Sequence, residues 1–206
     1  IVTDPYTPGP DASGFEPIHE PADMVIRSSP SDRFHNDPSH VLGNPVVVDA
    51  MDIPPEGTTA KGLNIQAFPG TESLTYDYGR PVFDNAMYSF TVEHIRILHM
   101  GDVGNPLTEE HLTALKGNVD LMLALTGGHP TIALDDLDRA TRVIRPRIVI
   151  PMHFPHARGV LNILPVTTFT DRYSENQVVQ AGGPELALST ETLPAEAQIH
   201  VLEQCR

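Results

Sequence analysis

One cysteine in 206 residues, Cys205 beside the last position, excludes an internal disulfide framework and any cysteine-based zinc site. A nucleophilic thiol at a chain terminus would be poorly held. So little cysteine suits a reducing compartment, and a cytoplasmic location is the expectation. Cations are scarce as well: 13 Lys and Arg against 27 Asp and Glu leave a formal charge of −14. That balance argues against a nucleic-acid partner, because gripping a phosphate backbone needs clustered Lys and Arg. The one local basic cluster is RATRVIRPR, 139–147, and a helix end running into a strand accounts for it equally well. No apolar run approaches the roughly 18 residues a membrane helix takes, so no membrane contact is expected. Internal repeats and low-complexity tracts are also missing. So are an initiating methionine and a leader: the chain opens IVTD, like a strand already in progress. Upstream strands, from the same polypeptide or a companion chain, are therefore expected to complete a sheet whose edge would otherwise stand unpaired.

What is present suits one domain, 1–206, with a sizeable core. An apolar share of 40% and a charged share of 19% are ordinary for a globular chain, while 20 prolines and 15 glycines predict many turns. Strands are predicted at IVTD, ADMVIRS (22–28) and NPVVVDA (44–50). GLNIQAFPG alternates Leu63, Ile65 and Ala67 against Asn64, Gln66 and Phe68, a sheet pattern. NAMYSFTV (85–92) and HIRILHMGD (94–102) read as two strands meeting near Glu93. LTEEHLTALKG predicts a helix capped by Thr108 and stopped at Gly117. VDLMLALTGG reads as a buried strand entering a diglycine turn, LDDLDRATRVIRP as a helix up to its proline, and RIVIPMHF as another buried strand. ELALSTETL and AQIHVLE return to strand patterns. Strands first, then alternating helices and strands, then strands again predict an α/β fold, a four-layered αββα sandwich.

Three polar clusters follow apolar strands: SSPSDRFHND, HMGDVG and IPMHFPH. Such clusters converge on one rim of a sheet, where ligands bind. Asp102 follows IRIL and His153 follows RIVIP. A carboxylate and an imidazole on one rim can ligate a metal together, or act as a base and its orienting partner. Alone, each has a plainer reading, as a turn former or a hydrogen-bonded structural histidine. His156 and Arg158 could line the mouth of a pocket and hold an anion, with His129, in TGGHP, facing the cleft.

ILHMGDVGNPLT, VDLMLALTGGHPTIALDDLDRA and IRPRIVIPMHF together resemble the metallo-β-lactamase superfamily, most closely its ascorbate-6-phosphate lactonase-like hydrolases. There one strand ends in Gly-Asp, a second in a Gly-Gly turn and a third in Ile-Pro-Met-His; IVTDPYTPG resembles the family's strand followed by Asp-Pro. The resemblance spans essentially the whole chain and implies the αββα fold. It also implies what the loop after ADMVI should hold, His-x-His-x-Asp-His, whose side chains bind two metals bridged by the Gly-Asp carboxylate. On that register Ser29 and Ser31 replace the first two histidines, Arg33 the aspartate and Phe34 the last histidine. The remaining histidine falls at Pro69 or a neighbour in IQAFPG, so only Asp102 and His153 stay in register.

Two survivors hold zinc poorly, since a catalytic zinc takes three protein ligands and an open position. Arg33 brings a positive charge to the place of a cation, and it is expected to pair with Asp102 in the metal's stead. Three functions compete. Ranked first is a family member without its dinuclear zinc site, binding a small-molecule ligand or a partner through a pocket of Ser29, Ser31, Phe34, His35, His129 and His156, with no cofactor. The second is a hydrolase with one Zn, Fe or Mn at Asp102 and His153 plus His35 or Asp37. His99 is a weaker ligand candidate, because strand alternation points it away from Asp102. The third is a metal-free acid–base enzyme using His153, Asp102 and Arg33. Homo-oligomerisation stays open.

Overall fold

The computed structural model describes residues 1–30, 34–72, 84–157, 159 and 162–205. Two sheets stack. The smaller is all parallel, in the order β1 (Val2–Thr3), β2 (Met24–Arg27), β3 (Val46–Asp49). The larger has eight strands. Along the chain they are β4 (Thr58–Ala60), β5 (Leu63–Gly70), β6 (Asn85–Val92), β7 (Ile95–His99), β8 (Leu121–Leu125), β9 (Ile148–Met152), β10 (Val178–Gln180) and β11 (Gln198–Val201). Their order in the sheet is β10-β11-β9-β8-β7-β6-β5-β4. From β10 to β7 the strands run parallel, and from β7 to β4 antiparallel. Three α-helices, α1 (Glu109–Leu115), α2 (Leu134–Ile144) and α3 (Val166–Thr170), and three single-turn 3-10 helices complete the described elements.

Alternation along β6 assigns the two faces of the large sheet. Ala86, Tyr88 and Phe90 pack with Ile65, Ala67, Met24 and Ile26, and so fill the space between the sheets. Met87, Leu98 and Met122 point the other way, against Leu112 of α1, Leu137 of α2 and Phe169 of α3. The predicted junction near Glu93 is a tight hairpin: Glu93 and His94 have φ of 46° and 68°, as a turn matched to strand twist requires. Thr108 caps α1, its hydroxyl accepting from the His111 N–H at 3.1 Å, with Glu109 and Glu110 in the first turn. Leu134, Leu137, Thr141 and Ile144 give α2 one buried stripe, and the helix ends at Arg145 in the left-handed conformation before Pro146.

The α/β sandwich expected from the sequence is the fold observed, and the strands read between 1 and 152 all form. One segment differs. ELALSTETL, 185–193, is no strand: Ser189 and Thr192 close a turn, and Leu186, Leu188 and Leu193 pack onto Ile95, Leu121 and Ile148. Its alternating leucines cover the face of the sheet instead of joining its edge. The short elements β4, β10 and α3 gave no strong periodicity and were not predicted. No helix among the described residues is long and apolar enough to cross a membrane.

Arg96 of β7 and Asp120 before β8 tie neighbouring parallel strands together. The Arg96 backbone N–H and Nε donate to Asp120 Oδ2 (2.9 and 2.8 Å), and Nη2 donates to Oδ1 (2.7 Å). The Arg96 hydrogen bonds outweigh burial and hold the Asp120 carboxyl below its usual value. Its stabilising effect is therefore complete above the unfolded value near pH 4 and fades as pH falls through the folded one. Asp120→Asn should cost about 1–3 kcal/mol at pH 7, read by urea denaturation. The gap to the parent protein should narrow below about pH 4.

Candidate functional site

Parallel strands carry their C-terminal ends to one rim, and β7, β8 and β9 there release His99–Asp102, Thr126–Gly128 and His153. The small sheet meets the same rim through Ser28, whose carbonyl accepts from Ala86 N–H at 2.9 Å. Asp4, at φ 41°, anchors it: Oδ1 accepts from Ser28 N–H (2.6 Å) and Oδ2 from the Ser28 hydroxyl (2.8 Å). Asp4 Oδ2 also lies 3.6 Å from His99 Nδ1. His99 Nδ1 accepts the Gly101 N–H (2.9 Å), which fixes the proton on Nε2. Burial holds the His99 pKa below its usual value although Asp4 pulls the other way, so the ring is neutral. It lies flat against Tyr88, centroids 4.9 Å apart. Burial, with the nearby Asp4 charge, pushes the Tyr88 hydroxyl well above the usual range.

Asp102 sits just beyond this base. Its N–H donates to Asn85 Oδ1 at 2.8 Å. Its Oδ2 faces His35 Nε2 at 3.4 Å and its Oδ1 faces His153 Nε2 at 3.9 Å, with side-chain exposures of 11, 20 and 18% respectively. His35 reaches Asp102 because the loop after β2 is pinned on both sides. Arg27 clamps Asp49 with two bonds (2.6 and 2.8 Å) and donates to the Asn36 carbonyl, while the Phe34 carbonyl accepts from Thr7 N–H (2.8 Å).

Two glycines make the geometry possible. At Gly101, φ 58°, a Cβ would lie 2.7 Å from both Asn85 Oδ1 and Ser28 Cβ. At Gly127 a Cβ would lie 2.2 Å from the His153 carbonyl oxygen and 3.0 Å from its Nδ1. TGG thus provides close approach for His153, itself at φ 54°, besides turning the chain. His153 Nδ1 is buried and makes no hydrogen bond among the described residues.

His35, Asp102 and His153 line a cavity of about 350 Å³. Phe15, Phe34, Phe154 and Ile163 supply apolar walls, and Tyr6 and His156 pack on Phe15 at 5.3 and 5.4 Å. Of the residues expected at this site, Asp102, His153, Phe34, His35 and His156 converge here. Ser29 is fully buried and does not line the cavity. His129 is exposed at the outer corner of the turn that Thr131 closes onto the Gly128 carbonyl, and does not line it either. Asp37 is drawn off to cap the turn Pro38–His40, accepting from Ser39 N–H at 3.0 Å. Arg33 and Ser31 lie outside the described residues, as does Arg158, so the Arg33–Asp102 pair falls there too. His99, expected to point away from Asp102, comes within electrostatic reach of both Asp102 and His35. Because β7 ends at His99, alternation no longer governs where Asp102 goes. Unpredicted residues include Asp4, Asn85 and Glu72, the last a buried acid lining the cavity. Pro69 pairs with Ala86 inside the sheet.

The donors that the described residues bring to the rim are His35, Asp102 and His153. Each imidazole faces a different oxygen of one carboxylate. No three His, Cys, Asp or Glu side chains among the described residues are placed to hold a metal ion.

A family model described as a β-lactamase superfamily domain matches residues 1–153. A UPF0173 metal-dependent hydrolase of Thermoplasma acidophilum is 27% identical over 172 residues, 75% of each chain. A second, from Thermococcus onnurineus, is 25% identical over 173 residues, 75% of this chain and 76% of its own. A crystal structure from Thermotoga maritima, described as a candidate Zn-dependent hydrolase of the metallo-β-lactamase superfamily, has a TM-score of 0.72 and 26% identity. It covers 97% of this chain and 87% of that one.

Gly101→Ala should cost about 2–4 kcal/mol, from a left-handed alanine plus overpacking on Asn85 and Ser28. Gly117→Ala, with φ 71° but open space around it, should cost only about 1 kcal/mol. Urea denaturation of the two variants measures the difference.

Proposed function

The chain belongs to the metallo-β-lactamase superfamily, and from that premise we propose that it binds a small, largely apolar molecule without a dinuclear zinc centre. The observation that carries this is the floor of the cavity, where His35 and His153 flank the Asp102 carboxylate. On the register the resemblance implies, Ser29 and Phe34 stand where two ligands would be. Phe34 builds apolar wall instead. Closer kinship to the lactonase-like branch is our reading of the strand-end motifs; the curated relatives are described as metal-dependent hydrolases.

The chemistry follows from the residues present. Aromatic walls exclude water and favour apolar or planar groups. Asp102 accepts a hydrogen bond from a ligand hydroxyl or amide, and His35 and His153 can hold or move a proton beside it. The same floor supports metal-free acid–base chemistry by His153 and Asp102 on a carbonyl or an anionic group.

A second reading has its own observation. His35 has come to 3.4 Å from Asp102; as they stand Asp102, His153 and His35 are not placed to hold an ion, and a rebuilt site for one Zn, Fe or Mn would need the two imidazoles to turn toward a shared point. In that case these three residues would hold the ion, which would supply a Lewis acid.

Elemental mass spectrometry on protein purified without chelator, followed by calorimetric titration with zinc, separates the two. The expected outcome is no retained metal and no stoichiometric zinc binding. One metal per chain, abolished by His35→Ala, would select the rebuilt site; two per chain would overturn both. Alongside, fragments detected by ligand-observed NMR should compete for one site and bind at least tenfold more weakly to Phe34→Ala.

A further inference from the structure

The basic cluster 139–147 is not used by the cavity at the rim. Its residues Arg145 to Arg147 immediately precede β9, whereas His153 follows it. The five residues of that strand place the two ends about 16 Å apart. At the far end lies a second cleft of about 670 Å³. Arg142, Arg145, Arg147 and Arg172 all line it, four of the 13 basic residues in a chain of net charge −14. Only Asp138 and Glu196 oppose them within the lining. The cleft is therefore net positive on a protein that is strongly negative elsewhere.

The four guanidiniums are unequally committed. Arg172 is satisfied by Asp138 and Asp135. Arg147 donates to the Pro194 carbonyl at 3.0 Å. Arg142 and Arg145 have no carboxylate partner among the ion pairs of the described residues. Thr141 and Tyr173 line the same space, where the Tyr173 hydroxyl donates to Asp138 at 3.1 Å. Burial raises the Tyr173 hydroxyl to about 12, with the Asp138 charge adding to it, so it stays a donor. Tyr173 and Pro146 give the cleft a planar, apolar side.

We propose that this cleft is a binding site for a phosphorylated small molecule, its phosphoryl oxygens held by Arg142, Arg145 and Arg147. Planar guanidinium forks match phosphoryl oxygens two at a time. A volume of about 670 Å³ lies within the range of small-molecule pockets. The sparse lysine and arginine elsewhere make wider polyanion binding the poorer match.

Arg145 offers a clean test, because it sits at φ 59° and ψ 54°, where glycine is the favoured residue. Arg145→Gly removes a cation while relieving the backbone, so the variant should melt no lower than the parent. Pyrophosphate is the probe, titrated calorimetrically into the full chain at fixed ionic strength, with succinate as a second arm. Saturable 1:1 binding of pyrophosphate, at least tenfold weaker in Arg145→Gly and in Arg142→Gln, supports the site. Equal affinity for succinate overturns the phosphoryl assignment. No saturable binding, or binding that both variants retain, overturns the site itself.

Discussion

Asp102 carries a carboxylate into the cavity wall with 11% of its side chain exposed, and a charge so placed must be compensated or it costs several kcal/mol, on the order of a lost buried pair. Much around it is arranged to that end. Asn85 fixes the backbone of Asp102, and Gly101 leaves space for Asn85. His35 and His153 each present an Nε2 to one of its oxygens. Gly127, in turn, permits the position of His153. A substitution at either glycine is therefore felt at a carboxylate it never touches.

A second layer of polar groups lies under the first. Asp4 holds the Ser28 backbone and hydroxyl together, tying the first loop to the start of the second. His99 fills the space between Asp4, Tyr88 and the Gly101 turn as a neutral ring. A neutral imidazole suits that place, because a cation there would be buried beside His35 and face the same desolvation cost. The rim is thus hydrogen-bonded where it meets the sheets. The walls add Phe15, Phe34 and Phe154 from three separate segments.

Much of this was legible in the sequence where periodicity was strong. The strand 85–92 was read to the residue, and the helix 134–144 up to the proline that follows it. Asp102 and His153 were legible because each follows an apolar run at a strand end. His35 could be named only as one of two loop donors: its choice over Asp37 depends on a local contest, in which Asp37 is spent capping Pro38–His40. His129 could not be placed from TGGHP, because the Gly128 turn decides which side of the chain faces the cavity. Asp4 and Asn85 act through hydrogen bonds to residues 24 and 17 positions away, a range no local pattern reveals. ELALSTETL deceived for the opposite reason: alternation reports which residues are buried, not whether the backbone pairs with a strand.

The two ends of the parallel strands face opposite electrostatic problems. At the C-terminal rim the fixed charge is a carboxylate, and the groups brought to it are the two imidazoles of His35 and His153. At the other end the fixed charges are guanidiniums, which stay protonated, and only part of their charge is answered by Asp135 and Asp138. A chain of net charge −14 repels anions at long range, so a positive cleft on it attracts chiefly within the roughly 8–10 Å over which salt leaves fields unscreened. Ligands at that end must therefore be recognised at contact, by fork geometry, instead of being steered from a distance. On so acidic a chain there is room for one compact, multiply charged anion where Arg142 and Arg145 line the same cleft.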